Sequence, residues 1–89
     1  MEPTSPILIE MYYTWTCPNC KIMSRMLEDV LPKFGDKFVV HKHHANAPLN
    51  MIRTMKLGIH AVPTLLIDHK VVFRSVPEKA DLIAKLCSY

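Results

Sequence analysis

Eighty-nine residues, 49% of them apolar and 21% charged, can build one real core and are not the composition of a disordered tail. The formal charge of +3 is mild and not gathered in one block, which argues against a nucleic-acid binder with a strong basic face. No stretch approaches the roughly 18–20 apolar residues of a membrane span, so no membrane partner is expected.

The opening Met1-Glu2-Pro3-Thr4-Ser5-Pro6 carries an acid and two prolines where an export leader would carry basic residues, and a cytoplasmic location is expected. Ile7-Leu8-Ile9-Glu10-Met11-Tyr12-Tyr13 is almost continuously apolar, the pattern of a strand buried on both faces. The period then changes to that of a helix, with Ile22, Met23, Met26, Leu27, Val30 and Leu31 on one side and Pro32 as its stop. Phe38 to His41 reads as a second strand that fades into Lys42-His43-His44. A short helix follows, with Pro48 near its start, Leu49, Ile52 and Met55 on one face, and Gly58 as its C-terminal stop. Val62 to Ile67 reads as a third strand that turns through Asp68-His69-Lys70 into Val71-Val72-Phe73, a tight hairpin. The last helix is expected to bury Leu82, Ile83, Leu86 and Cys87, with Ser75 and Glu78 at capping-box spacing.

The element order β-α-β-α-β-β-α implies parallel pairing through crossovers in the first half and an antiparallel hairpin at the end. A four-stranded mixed sheet with helices on both faces, formed by residues 1–89 as a single α/β domain, satisfies this order, and a monomer is expected.

Two of the three cysteines sit as Cys17-Pro18-Asn19-Cys20 at the junction of the first strand and first helix. Only a thiolate attacks a disulfide, and the free N–H groups and dipole of a helix N-terminus stabilise negative charge there. Pro18 suits the first helical position, whose N–H would otherwise have no partner. Two intervening residues let the second sulfur reach the first, so Cys17 can attack a disulfide and Cys20 can resolve the mixed disulfide. A zinc site is the competing reading, with Cys17, Cys20 and the downstream His41, His43 and His44 as ligands. It would need a strand-borne His-x-His to fold back onto the cysteines, whereas a pair at the mouth of a βαβ unit favours redox chemistry. Cys87, on an apolar helical face, reads as a small core residue.

Thr14-Trp15-Thr16-Cys17-Pro18-Asn19-Cys20 after a buried strand, and Gly58-Ile59-His60-Ala61-Val62-Pro63-Thr64 before the hairpin, resemble the thioredoxin/glutaredoxin superfamily. The short chain and the Ala-Val-Pro-Thr string look most like the compact glutaredoxin-like thioredoxins of archaea and bacteria. The resemblance implies a thioredoxin-like fold and an electron-carrying thiol–disulfide oxidoreductase that reduces disulfides in proteins. It implies no cofactor beyond the Cys17–Cys20 disulfide, and regeneration by a reductase or a low-molecular-weight thiol. It also implies a cis Val62–Pro63 bond, Pro63 packed beside the sulfurs, and Val62 backbone free to pair with a substrate strand. Trp15 and Thr16 would form part of the rim, Trp15 serving as an apolar platform or as ordinary loop packing.

Three departures accompany the resemblance. Met11 occupies the position, six residues before the first cysteine, where typical thioredoxins carry a buried acid that moves protons. Phe73-Arg74-Ser75-Val76 lacks the usual glycine, which argues against glutathione binding. Neither the tryptophan directly before the first cysteine nor the Gly-Pro between the pair is present. The missing acid and glycine motivate a further alternative, a redox-sensing or binding module without turnover.

Overall fold

The computed structural model describes residues 6–89, so the cytoplasmic expectation read from Met1 to Pro6 rests largely on residues outside the described ones. The chain forms β1 (Ile7–Tyr13), α1 (Pro18–Val30), a 3-10 turn (Leu31–Phe34), β2 (Phe38–His44), α2 (Pro48–Leu57), β3 (Thr64–Ile67), β4 (Lys70–Phe73) and α3 (Lys79–Cys87). The strands lie side by side in the order β2-β1-β3-β4. β1 pairs parallel with β2, Ile7 opposite Phe38 and Tyr13 opposite His44. β3 runs antiparallel to β1, Tyr12 opposite Thr64, and β4 antiparallel to β3. The sequence order foresaw the parallel β1–β2 pair and the closing hairpin. The direction of β3 is what brings the chain before Thr64 to the end of the sheet where β1 delivers Cys17.

Alternation along β1 divides the core between two faces. Ile9 and Met11 pack with Met23, Leu27 and Val30 of α1 and Leu82 and Leu86 of α3. Tyr12 points the other way, into a smaller cluster with Ile59 and Leu66. Between Ile67 and Lys70, Asp68 and His69 both take positive φ, 53° and 68°, the left-handed pair that a type I′ hairpin turn requires. Gly58, at φ 67°, caps α2 in the left-handed region as its position suggested.

Four local expectations are corrected. β2 continues through His44, because His43 and His44 stay paired to Tyr12 and Tyr13 in the ladder. β3 begins at Thr64 rather than Val62, since Pro63 has no N–H to give to a ladder and follows a cis bond. Glu78 is the N-cap of α3 and makes no side-chain capping bond, so the Ser75–Glu78 capping box does not form. Cys87, expected in the core, is exposed with a free thiol, because α3 turns Leu82 and Leu86 inward and Cys87 follows Leu86 around the helix. Iodoacetamide is expected to add a single carbamidomethyl group to the native oxidised protein, at Cys87; an unmodified mass under native conditions would return Cys87 to the interior.

The face of α2 carrying Leu49, Ile52 and Met55 is also exposed rather than packed. The side of that helix turned toward the protein is largely polar. Thr54 is buried, Asn50 Nδ2 donates to the His44 carbonyl at 3.0 Å, and Arg53 reaches a carboxylate on β1.

Candidate active site

β1 ends at Tyr13, and a turn closed by the Cys17 N–H on the Thr14 carbonyl, 3.4 Å, lifts the chain into α1. Cys17 is the N-cap of α1, with extended backbone, and its sulfur accepts the Cys20 N–H at 3.1 Å. Pro18 follows as the first helical residue. The sulfur at 17 therefore stands where the unpaired N–H groups of the helix point, and no acidic side chain lies in the first turn to oppose negative charge there.

Cys17 and Cys20 are joined as a disulfide, their Cα atoms 5.3 Å apart. Cys17 is partly exposed, whereas Cys20 is 3% exposed. A partner can approach the first sulfur and not the second, the asymmetry that a nucleophile and a resolving thiol require.

The loop before β3 supplies the opposite wall. The Val62–Pro63 bond is cis, Pro63 is fully buried, and the Val62 carbonyl oxygen lies 3.9 Å from Cys17 Sγ. Thr64 Oγ1 donates to the Ala61 carbonyl at 2.7 Å and pins that loop. Trp15 and Thr16 are exposed on the rim, with the Trp15 ring edge-on to His44 at 4.9 Å between centroids. The two cysteines and the five residues singled out around them, Trp15, Thr16, Pro18, Val62 and Pro63, thus fall in or beside the loops at this end of the sheet. Trp15 is 76% exposed, so beyond its contact with His44 it is available to a partner.

The zinc alternative finds no support in the histidines. His41 is exposed, His43 Nε2 lies 3.0 Å from Glu10 Oε2, and His44 contacts the Tyr13 and Trp15 rings. Among the described residues no group of three or more His, Cys, Asp and Glu is arranged to hold a metal ion.

Sequence reasoning missed the most elaborate polar cluster in the molecule. Glu10 is 2% exposed on the face of β1 opposite Met11. Its Oε2 accepts from Arg53 Nη2 at 2.8 Å and lies 3.0 Å from His43 Nε2, while His69 Nδ1 stands 3.6 Å from Oε1. Burial pushes the Glu10 carboxyl up, but the hydrogen bonds and charges of Arg53 and His43 together outweigh it and hold it below its ordinary value of 4.5. The signal was present, since a lone carboxylate in a continuously apolar strand must find partners or stay neutral. Glu10 does not replace the missing proton-transfer acid. Cys20 shares an open cavity with Met11, Tyr13, Lys21 and Lys42 on the α1 side of the sheet, and Glu10 opens on the α2 side.

A mixed sheet with a partly exposed and a buried sulfur at a helix N-terminus, faced by a cis-proline loop, defines the class of dithiol–disulfide exchange proteins. A family model described as a thioredoxin domain matches residues 7–87. The chain belongs to the thioredoxin family. It is 33% identical over 79 residues to a thioredoxin of Methanocaldococcus jannaschii, spanning 89% of this chain and 91% of that relative. It is 28% identical over 74 residues to a probable thioredoxin of Methanothermobacter thermautotrophicus, spanning 83% and 85%. Thioredoxin-2 of a malaria parasite superimposes with a TM-score of 0.76 over 99% of this chain and 87% of that one; at 15% identity this bears on the fold alone. The protein is a thiol–disulfide oxidoreductase, and disulfides are its substrates.

Proposed function

We propose that this protein acts as a single-domain, monomeric dithiol reductant of protein disulfides in the cytoplasm. The observation that carries the reading is the pairing of an accessible Cys17, capping α1 through the Cys20 N–H, with a buried Cys20 one helical turn away. Cys17 thiolate attacks one sulfur of the substrate disulfide, forming a mixed disulfide and releasing the other substrate sulfur as a thiolate that takes up a proton. Cys20 then loses its proton and attacks Cys17 Sγ. The Cys17–Cys20 bond forms, the mixed disulfide breaks, and the second substrate thiol departs. Two electrons and two protons pass to the substrate. A reductase or a low-molecular-weight thiol returns them to the pair.

Around this centre, Pro18 starts α1, Trp15 and Thr16 shape the rim, and Val62 and Pro63 form the wall against which a substrate strand lies. Extended backbone beside Val62 suits strand addition by an unfolded or exposed segment. With Met11 in the core and no acidic side chain among the described residues lining the cavity at Cys20, solvent supplies and removes the protons. The Arg74 guanidinium bonds the Gly58 carbonyl at 2.7 Å in the region where a glycine would admit glutathione, which favours protein substrates over that tripeptide.

Cys20→Ser is expected to trap a covalent adduct with a disulfide-bearing protein such as reduced-and-reoxidised model substrate. The adduct should be visible as a mass increase equal to the substrate chain and be released by dithiothreitol. Absence of any adduct would remove Cys20 from the resolving role. A redox titration of the pair, followed by mass after alkylation, tests the reading as a whole: a reversible two-electron couple regenerated by a reductase system supports it. A disulfide that forms but is never turned over would favour the sensing module.

A further inference from the structure

α2 has its amphipathicity turned outward. Leu49 is 83% and Met55 79% exposed, with Ile52 and Met51 also facing solvent, while buried Thr54, half-buried Asn50 and Leu57, and an Arg53 that reaches Glu10 occupy the side against the protein. A helix on a globular surface ordinarily places its apolar stripe against the core. Here the inward polar face is fully employed, Asn50 on the His44 carbonyl and Arg53 on Glu10, so the helix cannot roll its apolar side inward without breaking both. A contiguous apolar patch held outward by a built polar anchor marks a contact surface for another molecule.

Two features say what covers it. The first is charge. From Lys37 through Ile67 the chain contains no Asp or Glu, and α2 itself carries Arg53 and Lys56, whereas Lys37 and Lys42 are engaged elsewhere, on the Tyr89 carbonyl and on Ser24 of α1. Lys56 lies within α2 itself, exposed beside the stripe, and α2 has no acidic residue. A second copy docked across a twofold axis would set this uniformly basic helix against itself, with no carboxylate to answer it. The second feature is position. Met51 lines one open cleft together with Thr14, Ala61 and Val62, and the Val62 carbonyl is 3.9 Å from Cys17 Sγ. A chain lying on α2 can therefore follow this cleft to the reactive sulfur.

We infer that the outward face of α2, centred on Leu49, Ile52 and Met55, docks disulfide-bearing protein substrates that present an apolar segment flanked by carboxylates. The inference rests on the proposed reduction of protein disulfides and adds the substrate class. Apolar contact supplies the anchor, and the exposed Lys56 on an acid-free helix favours acidic partners and speeds their approach.

The test uses pre-reduced protein in single turnover against two synthetic cystine peptides. They share one apolar anchor and differ only in Glu or Lys flanks. Bis(2-hydroxyethyl) disulfide serves as a substrate too small to touch α2. The wild type is expected to reduce the Glu-flanked peptide roughly tenfold more efficiently than the Lys-flanked one at low salt, the preference shrinking as salt rises. Leu49→Gln with Met55→Gln keeps helix propensity at exposed positions and should preserve folding. That variant is expected to lose roughly tenfold in apparent affinity for the Glu-flanked peptide while reducing the small disulfide at the wild-type rate. Equal peptide kinetics in variant and wild type would overturn the inference. So would loss, in the variant, of self-association in sedimentation or of binding to vesicles of phosphatidylcholine and phosphatidylglycerol, which would give the face to a second copy or to lipid. Failure of the wild type to reduce the small disulfide would instead overturn the reduction chemistry itself.

Discussion

Cys17→Ser is expected to lower the rate of disulfide reduction at least about a thousandfold, about 4 kcal/mol of barrier, with the fold intact. Serine is close in size to cysteine, and position 17 is partly exposed, so packing barely changes. What is lost is the sulfur of the pair that a substrate can approach. The second sulfur cannot substitute, because Cys20 is 3% exposed on the buried side of α1. Cys87 is accessible, but it sits on α3, and in Cys17→Ser it would have no neighbouring thiol to resolve an adduct. The helix terminus sharpens the contrast. The Cys20 N–H aimed at Cys17 Sγ at 3.1 Å favours a thiolate, whereas a hydroxyl stays protonated and gains no nucleophilicity from the same bond. Single-turnover reduction of a chromogenic aromatic disulfide reads this directly, with Cys87→Ser as the control expected to match the wild type. A Cys17→Ser protein retaining wild-type rate, with Cys20→Ser inactive, would reverse the assigned roles.

The reactive end of the molecule was legible in the sequence because its chemistry is local. A cysteine pair within one helical turn and a proline at the first helical position act within a few residues, whereas Pro63, far along the chain, was expected beside the sulfurs through the family resemblance alone. The order of elements followed for the same reason, since periodicity and turn residues are short-range signals. What stayed hidden was decided by partners far along the chain. Glu10 finds Arg53 and His43 only after β2 and α2 are in place, at separations of 43 and 33 residues. The apolar spacing of Leu49, Ile52 and Met55 was read correctly, yet periodicity tells which residues share a face and not which way the face points. The anchoring of Arg53 on Glu10 settles that. Cys87 was misjudged similarly, because Leu82 and Leu86 define the buried side of α3 and Cys87 lies just past it.

The same Glu10–Arg53 contact carries the largest expected effect on stability. Arg53→Ala leaves a carboxylate that is 2% exposed without its strongest partner. Removing one member of a fully buried pair costs about 3–5 kcal/mol. The Arg53 side chain is 44% exposed and water screens part of the interaction, so about 2 kcal/mol at pH 7 is expected. In a domain of this size that lowers the melting temperature by about 10 °C. The pH dependence has a definite sign. In the wild type the folded-state carboxyl lies below its ordinary 4.5, so the ionised group favours folding. Its contribution is complete above that value and is lost as pH falls through the lower folded-state value. In Arg53→Ala, burial is opposed only by His43 and by His69 at 3.6 Å, and the folded carboxyl moves upward. The variant should therefore lose stability relative to wild type as pH rises through the carboxylate range towards 7, and the two curves should converge once pH falls below the wild-type folded-state value, where Glu10 is neutral in both. Glu10→Gln combined with Arg53→Ala should cost less than the two single changes added, since each removes the same contact. Thermal unfolding followed by circular dichroism across this range distinguishes the cases. Parallel curves for wild type and Arg53→Ala would mean that β1 and α2 are held together by their neighbours and not by this pair, and that the outward face of α2 has lost its anchor.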